Sequence, residues 1–117
     1  KNYLRFSLIV LLILYPSIAI AETQPNFEKL ADAIFWSEGG FKTRHPYGIL
    51  AKYKHTTPRQ ACINTCRHAY RDWLKVRHKD YLEYLANRYA PIGAKNDPTN
   101  LNSHWLNNVR RIWKQLI

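Results

Sequence analysis

Acidic residues are scarce in this sequence: 8 Asp+Glu stand against 18 Lys+Arg over 117 residues, a formal net charge of +10. Between Gly39 and Arg71 there is no Asp or Glu at all, so no pair of carboxylates can be assembled within that stretch. Glycine (4) and proline (6) are sparse and unpatterned, which excludes a collagenous chain, and two cysteines exclude a disulfide framework. Internal repeats and low-complexity tracts are missing, and no stretch alternates apolar and polar residues well enough to read as a strand. The hydrophobic fraction is nonetheless 46%, with a mean hydropathy of −0.45, too apolar for a disordered basic tail. A single small domain with a cationic surface is therefore expected, and such a surface seeks nucleic acid, anionic lipid or an acidic wall polymer.

Residues 1–21 bear on that choice. Lys1 and Arg5 precede and flank an apolar run from Phe6 to Tyr15, followed by Pro16 and the small-residue pattern Ala19-Ile20-Ala21. This is the layout of a secretory signal peptide, which leaves 22–117 as the folded domain. An uncleaved anchor from Tyr3 to Ala21 is the alternative, and it would be the protein's one membrane attachment. Export makes nucleic acid an improbable partner and places the protein in the periplasm or outside the cell.

Helical periodicity starts at Phe27, with Phe27, Leu30, Ala31, Ile34 and Phe35 on one face, Asn26 as cap and Gly39-Gly40 as stop. The stretch 41–56, with Pro46 and Gly48, has no helical period and reads as a loop or short hairpin. Thr57-Pro58 opens a long helix to about Arg77 with Cys62, Cys66, Ala69, Tyr70, Trp73 and Val76 inward. Asp80 caps a third helix, with Tyr81, Leu82, Leu85, Ala86 and Tyr89 inward. Pro91, Gly93 and Asp97-Pro98 interrupt the chain before a last helix from about His104 to Gln115, which turns Trp105, Val109, Ile112 and Trp113 inward. The fold class is mainly α, with about four helices.

Glu38 breaks the pattern. It follows Ile34, Ala31, Leu30 and Phe27 by four, seven, eight and eleven positions, so a carboxylate lies on the apolar stripe of its own helix, at the end where the macrodipole disfavours negative charge. Burial and the dipole both push such a group toward its protonated form, the state a general acid needs. The plain alternative is a glutamate that escapes to solvent as the helix frays.

The run Ala33-Ile34-Phe35-Trp36-Ser37-Glu38-Gly39-Gly40, then Tyr47-Gly48-Ile49-Leu50, then Leu85-Ala86-Asn87-Arg88-Tyr89-Ala90-Pro91 with Asn96-Asp97 and Trp105-Leu106-Asn107-Asn108-Val109, resembles the lysozyme-like superfamily. The similarity is to its soluble lytic transglycosylase and goose-type lysozyme branch and phage relatives, in order and spacing over most of 22–117. Gly39 stands where the transglycosylases usually have Ser, and the turn runs Leu50-Ala51 without a Gln. The resemblance implies a small lysozyme-like domain that cleaves the β-1,4 bond between N-acetylmuramic acid and N-acetylglucosamine in peptidoglycan glycan strands. It further implies Glu38 as the catalytic acid, Tyr47, Gly48 and Ile49 as cleft-lining residues, Asn87 and Tyr89 as groups that orient Glu38 or the substrate, and no cofactor. A domain of the same fold that binds glycan or an envelope or secretion component without cleaving it is the rival expectation.

Other constellations point elsewhere or nowhere. Cβ atoms at i and i+4 on a helix sit about 5–6 Å apart, whereas a disulfide needs about 3.5–4.5 Å, so Cys62 and Cys66 read as two buried thiols rather than an unstrained bridge. With His68 they do not follow zinc spacing, and no metal is expected. His45, His55, His78 and His104 read as solvated. Arg67, Arg71, Lys75 and His78 form a basic helix face, either a solvated surface or a grip on acidic wall polymers. Trp36, Trp105 and Trp113 are expected in the core rather than as sugar platforms, although Trp36, beside Glu38, could do both. The Ala19-Ile20-Ala21 pattern predicts cleavage before Glu22 in a bacterial host; mass spectrometry of the exported protein checks this, and an N-terminus still at residue 1 in the membrane fraction would mark an anchored form instead.

Overall fold

The computed structural model describes residues 23–95 and 100–116, so the leader and the Asp97-Pro98 turn expected above lie outside the described residues. Four α-helices follow one another: α1 Phe27–Ser37, α2 Pro58–Val76, α3 Tyr81–Tyr89 and α4 Trp105–Gln115. Short 3-10 turns occupy Gly40–Lys42, Pro46–Gly48 and Leu101–His104, and there is no strand among the described residues. The hairpin alternative for 41–56 is thus not realised. That stretch supplies neither a second alternating segment nor a partner edge, and it satisfies its backbone through two tight turns instead.

Each helix begins where its local chemistry dictates. The Asn26 side chain accepts the Lys29 N–H, Thr57 accepts that of Gln60 and Asp80 that of Glu83, relieving one unpaired amide at the start of α1, α2 and α3 in turn. Helix α1 stops because Gly39 takes φ 104°, which an L side chain rarely adopts. Helix α2 stops at Arg77, also left-handed at φ 46°.

Helix α1 is the centre of the packing, lying against both α2 and α4 and against the turns at 40–42 and 46–48. Leu30, Ile34, Cys62, Cys66, Leu85 and Val109 are fully buried, and burying a side chain the size of Leu or Ile contributes about 1.5–3 kcal/mol. Both cysteines are free thiols. The short side chains of Cys62, Cys66 and Ala69 line the inward face of α2, and the buried Tyr81 hydroxyl donates to the Cys66 carbonyl at 2.7 Å, fastening α3 to α2. Among the described residues three ion pairs staple the outside: Asp32 with Arg59, Asp72 with Arg88, and Asp80 with Arg110. Half-exposed as they are, each contributes no more than about 1 kcal/mol.

Two expected core residues are not in the core. Val76, the last residue of α2, is 57% exposed; it borders an open hollow beside Tyr84, Asn87 and Arg88 of α3 and is not covered by them. Trp36 is 51% exposed; it lies on the flank of α1, two positions from the buried Ile34, and makes an edge contact with Phe41 at 5.7 Å. Ala33 and Ile63, not counted on the inward faces, are buried. Among the described residues no helix is long and apolar enough to cross a membrane. The burial pattern predicts that Leu85→Ala costs about 2–5 kcal/mol in urea denaturation, whereas Val76→Ala stays within about 0.5 kcal/mol. A comparable loss from both would mean that α2 packs through its last turn after all.

Candidate active site

Glu38 closes α1 as its C-terminal cap, its own N–H donating to the Ile34 carbonyl at 3.0 Å. This position fixes the backbone and leaves a half-buried carboxyl group projecting beyond the helix. Two groups remote in sequence meet it. From α4, the buried Trp105 donates its indole N–H to Glu38 Oε1 at 2.8 Å. From the loop after α1, Gly48 comes so near that a Cβ there would lie 2.9 Å from the Glu38 carboxyl carbon and within 3.1 Å of both oxygens. Only glycine fits, and its φ of 69° is one that other residues adopt with strain.

The turn that delivers Gly48 is itself held under strain. Tyr47 has φ 62°, a left-handed conformation that costs an L-residue about 1–2 kcal/mol. Three contacts offset this. The Tyr47 ring is buried beside Phe35, with centroids 5.2 Å apart; its hydroxyl accepts from Arg59 at 3.3 Å; and its carbonyl accepts the Tyr89 O–H from α3. Arg59 is in turn fixed by Asp32 of α1, and the Tyr89 ring stacks on Trp105 at 5.3 Å. Turn and indole therefore share one support, and both touch the same carboxyl group.

On its open side Glu38 faces a hollow of about 400 Å³ lined by Ser37, Glu38, Asn102, His104, Trp105 and Asn108. Hydroxyl, amide, imidazole and indole groups surround the acid, and the hollow contains no Lys, Arg or second carboxylate among the described residues. Among the described residues, the carboxylates that follow in the sequence do not line this hollow. Asp72 pairs with Arg88, Asp80 caps α3 and pairs with Arg110, and Glu83 backs onto an adjoining hollow that meets this one at Asn102. Asp97 lies outside the described residues.

Burial raises the Glu38 pKa above the ordinary carboxylate range, and the Trp105 hydrogen bond, which favours the charged form, partly opposes it. When the group is protonated, Oε1 still accepts from Trp105, so the proton resides on Oε2. The arrangement is that of a proton donor and acceptor at the wall of a hydrogen-bonding cleft. No cluster of His, Cys, Asp and Glu suited to a metal ion occurs among the described residues.

The residues expected at the site are only partly brought together. Gly48 meets Glu38 directly, and Tyr89 reaches it through the turn and through Trp105. Tyr47 and Ile49 do not line the hollow: the left-handed turn sends the Tyr47 ring inward, and Ile49 packs half-buried on the core. Asn87 does not line this hollow but borders the adjoining one that meets it at Asn102. It is two positions, about 200° of helix rotation, from the inward Tyr89 and is exposed beside His78, Lys79 and Arg88. Trp105 was expected as core alone; a buried indole N–H needs an acceptor, and the only misplaced carboxylate in the sequence was the signal available. Asn108 shares the Trp105 face one turn on, and Asn102 and His104 reach the hollow from the 3-10 turn before α4. Set against family models, curated proteins and solved structures, the chain matches none of them.

A carboxyl group whose folded pKa is raised stabilises the fold fully at acid pH and loses that contribution as pH climbs from its ordinary value to the raised one. Wild-type stability is therefore expected to fall across that interval, while Glu38→Gln, which keeps the acceptor for Trp105, does not show this fall. Trp105→Phe removes the opposing hydrogen bond and extends the interval upward. Urea midpoints from acid to neutral pH check both; a constant offset between wild type and Glu38→Gln would mean that the carboxyl titrates normally.

Proposed function

We propose that this chain is a peptidoglycan lytic transglycosylase of lysozyme-like type, with Glu38 as its single catalytic carboxyl group. The observation that carries the reading is the half-buried Glu38, its pKa raised by burial, at the edge of a hollow whose other lining groups are hydrogen-bonding side chains with no second carboxylate among the described residues. A raised pKa favours the protonated form, the form that leaving-group protonation requires. A lining of hydroxyl, amide and imidazole groups suits a substrate made of hydroxyls and acetamido groups. The sequence resemblance to the lytic transglycosylases and goose-type lysozymes supports the same assignment, with the glycan strand as partner.

In this mechanism Glu38 Oε2 gives its proton to the glycosidic oxygen as the bond between that oxygen and the anomeric carbon of N-acetylmuramic acid breaks. The Trp105 N–H stabilises the carboxylate that forms, through Oε1. A two-carboxylate hydrolase needs a partner about 5–9.5 Å away, and the hollow has none among the described residues. Glu38 then takes the proton of the sugar's own 6-hydroxyl, whose oxygen bonds to the anomeric carbon. The acid is restored, no water is consumed, and the product is a 1,6-anhydromuramic end.

Purified protein is expected to clear isolated sacculi and release soluble muropeptides with anhydro ends. Glu38→Gln is expected to lower the rate by at least about 10²-fold while still binding sacculi, because the amide keeps the shape and has no acid proton. Chromatography with mass analysis distinguishes the ends by one water per cut. Reducing muramic ends alone would make the enzyme a hydrolase, and wild-type binding without cleavage would make it a glycan-binding domain.

A further inference from the structure

A second hollow, of about 470 Å³, lies at the other end of α1, where the start of that helix meets the outer face of α2. Phe27 and Leu74 are among its apolar lining residues, and Asn64, Arg67, His68 and Arg71 supply its polar ones. No carboxylate lines it, and among the described residues no ion pair engages Arg67 or Arg71. Two acidic residues lie nearby. Glu28 is exposed on α1 next to Phe27 but does not line the hollow. Asp72 follows Arg71 and feels both Arg71 and Lys75, yet its carboxylate is bound to Arg88 at 2.9 Å, the contact that does most to hold it below the usual carboxylate range.

We propose that this hollow and the α2 face leading from it bind a linear phosphate-bearing polymer that carries no bases. Three features select that ligand. Arg67, Arg71 and Lys75 are exposed at intervals of four residues, so their charges repeat about every 6 Å along roughly 12 Å of helix. A small anion would use one of them, whereas an extended polyanion uses all three and releases its counterions. Arg67 is held over the Phe27 ring, 5.9 Å from its centroid, so it loses less freedom on binding than an untethered side chain.

The remaining features set other polyanions aside. Single-stranded nucleic acid needs exposed rings on which bases stack. Here Phe27 and Tyr70 are buried, and the half-buried Trp73 has the Arg77 guanidinium over it at 5.5 Å. A bilayer surface needs apolar side chains that project between headgroups. Leu74, 36% exposed, is a single apolar side chain on the wall of the hollow, and the exposed Val76 lines a different one, with His78 and Tyr84, so the two form no joint apolar patch beside the arginines. The proposal is independent of the chemistry at Glu38, which is eleven residues, roughly 16 Å of helix, from Phe27.

The test titrates the purified protein with end-labelled linear inorganic polyphosphate at several salt concentrations. Parallel titrations use single-stranded oligothymidylate and phosphatidylcholine vesicles containing phosphatidylglycerol. Polyphosphate is expected to bind more tightly than either. Arg67→Gln/Arg71→Gln is expected to weaken it by about tenfold or more and to reduce the slope of log affinity against log salt by about one to two. Arg71→Gln alone gives roughly half of both effects and retains the Arg67–Phe27 contact. The control Lys54→Gln/Arg111→Gln, with the same loss of charge at exposed sites elsewhere, is expected to change affinity less than about threefold. Equal losses in the two double variants would reduce the effect to net charge and overturn the site, as would oligothymidylate or vesicles binding as tightly through the same arginines.

Discussion

The contact between the Gly48 backbone and the Glu38 carboxyl group is the constraint around which the rest of the site is arranged. There is no room for a single methyl group between them. To come that close the chain turns left-handed at Tyr47, a residue with no intrinsic preference for that conformation, and the structure holds it there from three directions through Phe35, Arg59 and Tyr89. Covering one side of the carboxyl group excludes water from it, which makes the charged form harder to keep. Trp105 acts in the opposite sense, since its N–H favours the carboxylate. A group pulled in both directions is suited to giving a proton and taking one back, as the proposed reaction requires.

The support behind that contact is shared rather than duplicated. Tyr89 bonds to the turn through its hydroxyl and stacks on Trp105 through its ring, so α3 sets both partners of Glu38 at once. Behind Tyr89 lie the buried thiols. Burial and the adjacent Cys62 push the Tyr89 hydroxyl far above its ordinary pKa, so it stays protonated and remains a donor to the Tyr47 carbonyl. Cys62 and Cys66 thus serve as small packing groups between helices, where a larger side chain would displace the tyrosine.

Charge is segregated along the same architecture. Among the described residues no Lys or Arg lines the hollow beside Glu38, although the chain as a whole is +10. Arg67, Arg71 and Lys75 instead lie exposed along the outer face of α2, past the start of α1. The two proposed sites therefore differ in chemistry: a hydrogen-bonding hollow at one end of α1, and a cationic face at the other. Keeping arginine away from the acid also preserves the raised pKa, since a guanidinium within a few ångströms would lower it.

Helix boundaries were legible from the sequence because caps and stops act within a few residues: Asn26, Thr57-Pro58, Asp80 and Gly39 each do locally what their side chains or backbone freedom allow. The misplaced acid was legible too, since one residue on an apolar stripe is visible from the 3.6-residue period alone. The ends of stripes were not, because whether Val76 or Trp36 is covered depends on how the neighbouring elements pack. The neighbours of Glu38 were the least legible of all. Trp105 lies sixty-seven positions away and Gly48 ten, and no local rule says that both converge on one carboxyl group. Nor does spacing reveal that Tyr47 turns inward while Asn87 faces solvent. Sequence by itself determined the helices, the cationic surface and the carboxyl group misplaced on an apolar stripe; only the tertiary structure decided what surrounds that group. A proton's affinity for a buried carboxyl group is set by atoms within a few ångströms, and packing brings those atoms together from distant parts of the chain.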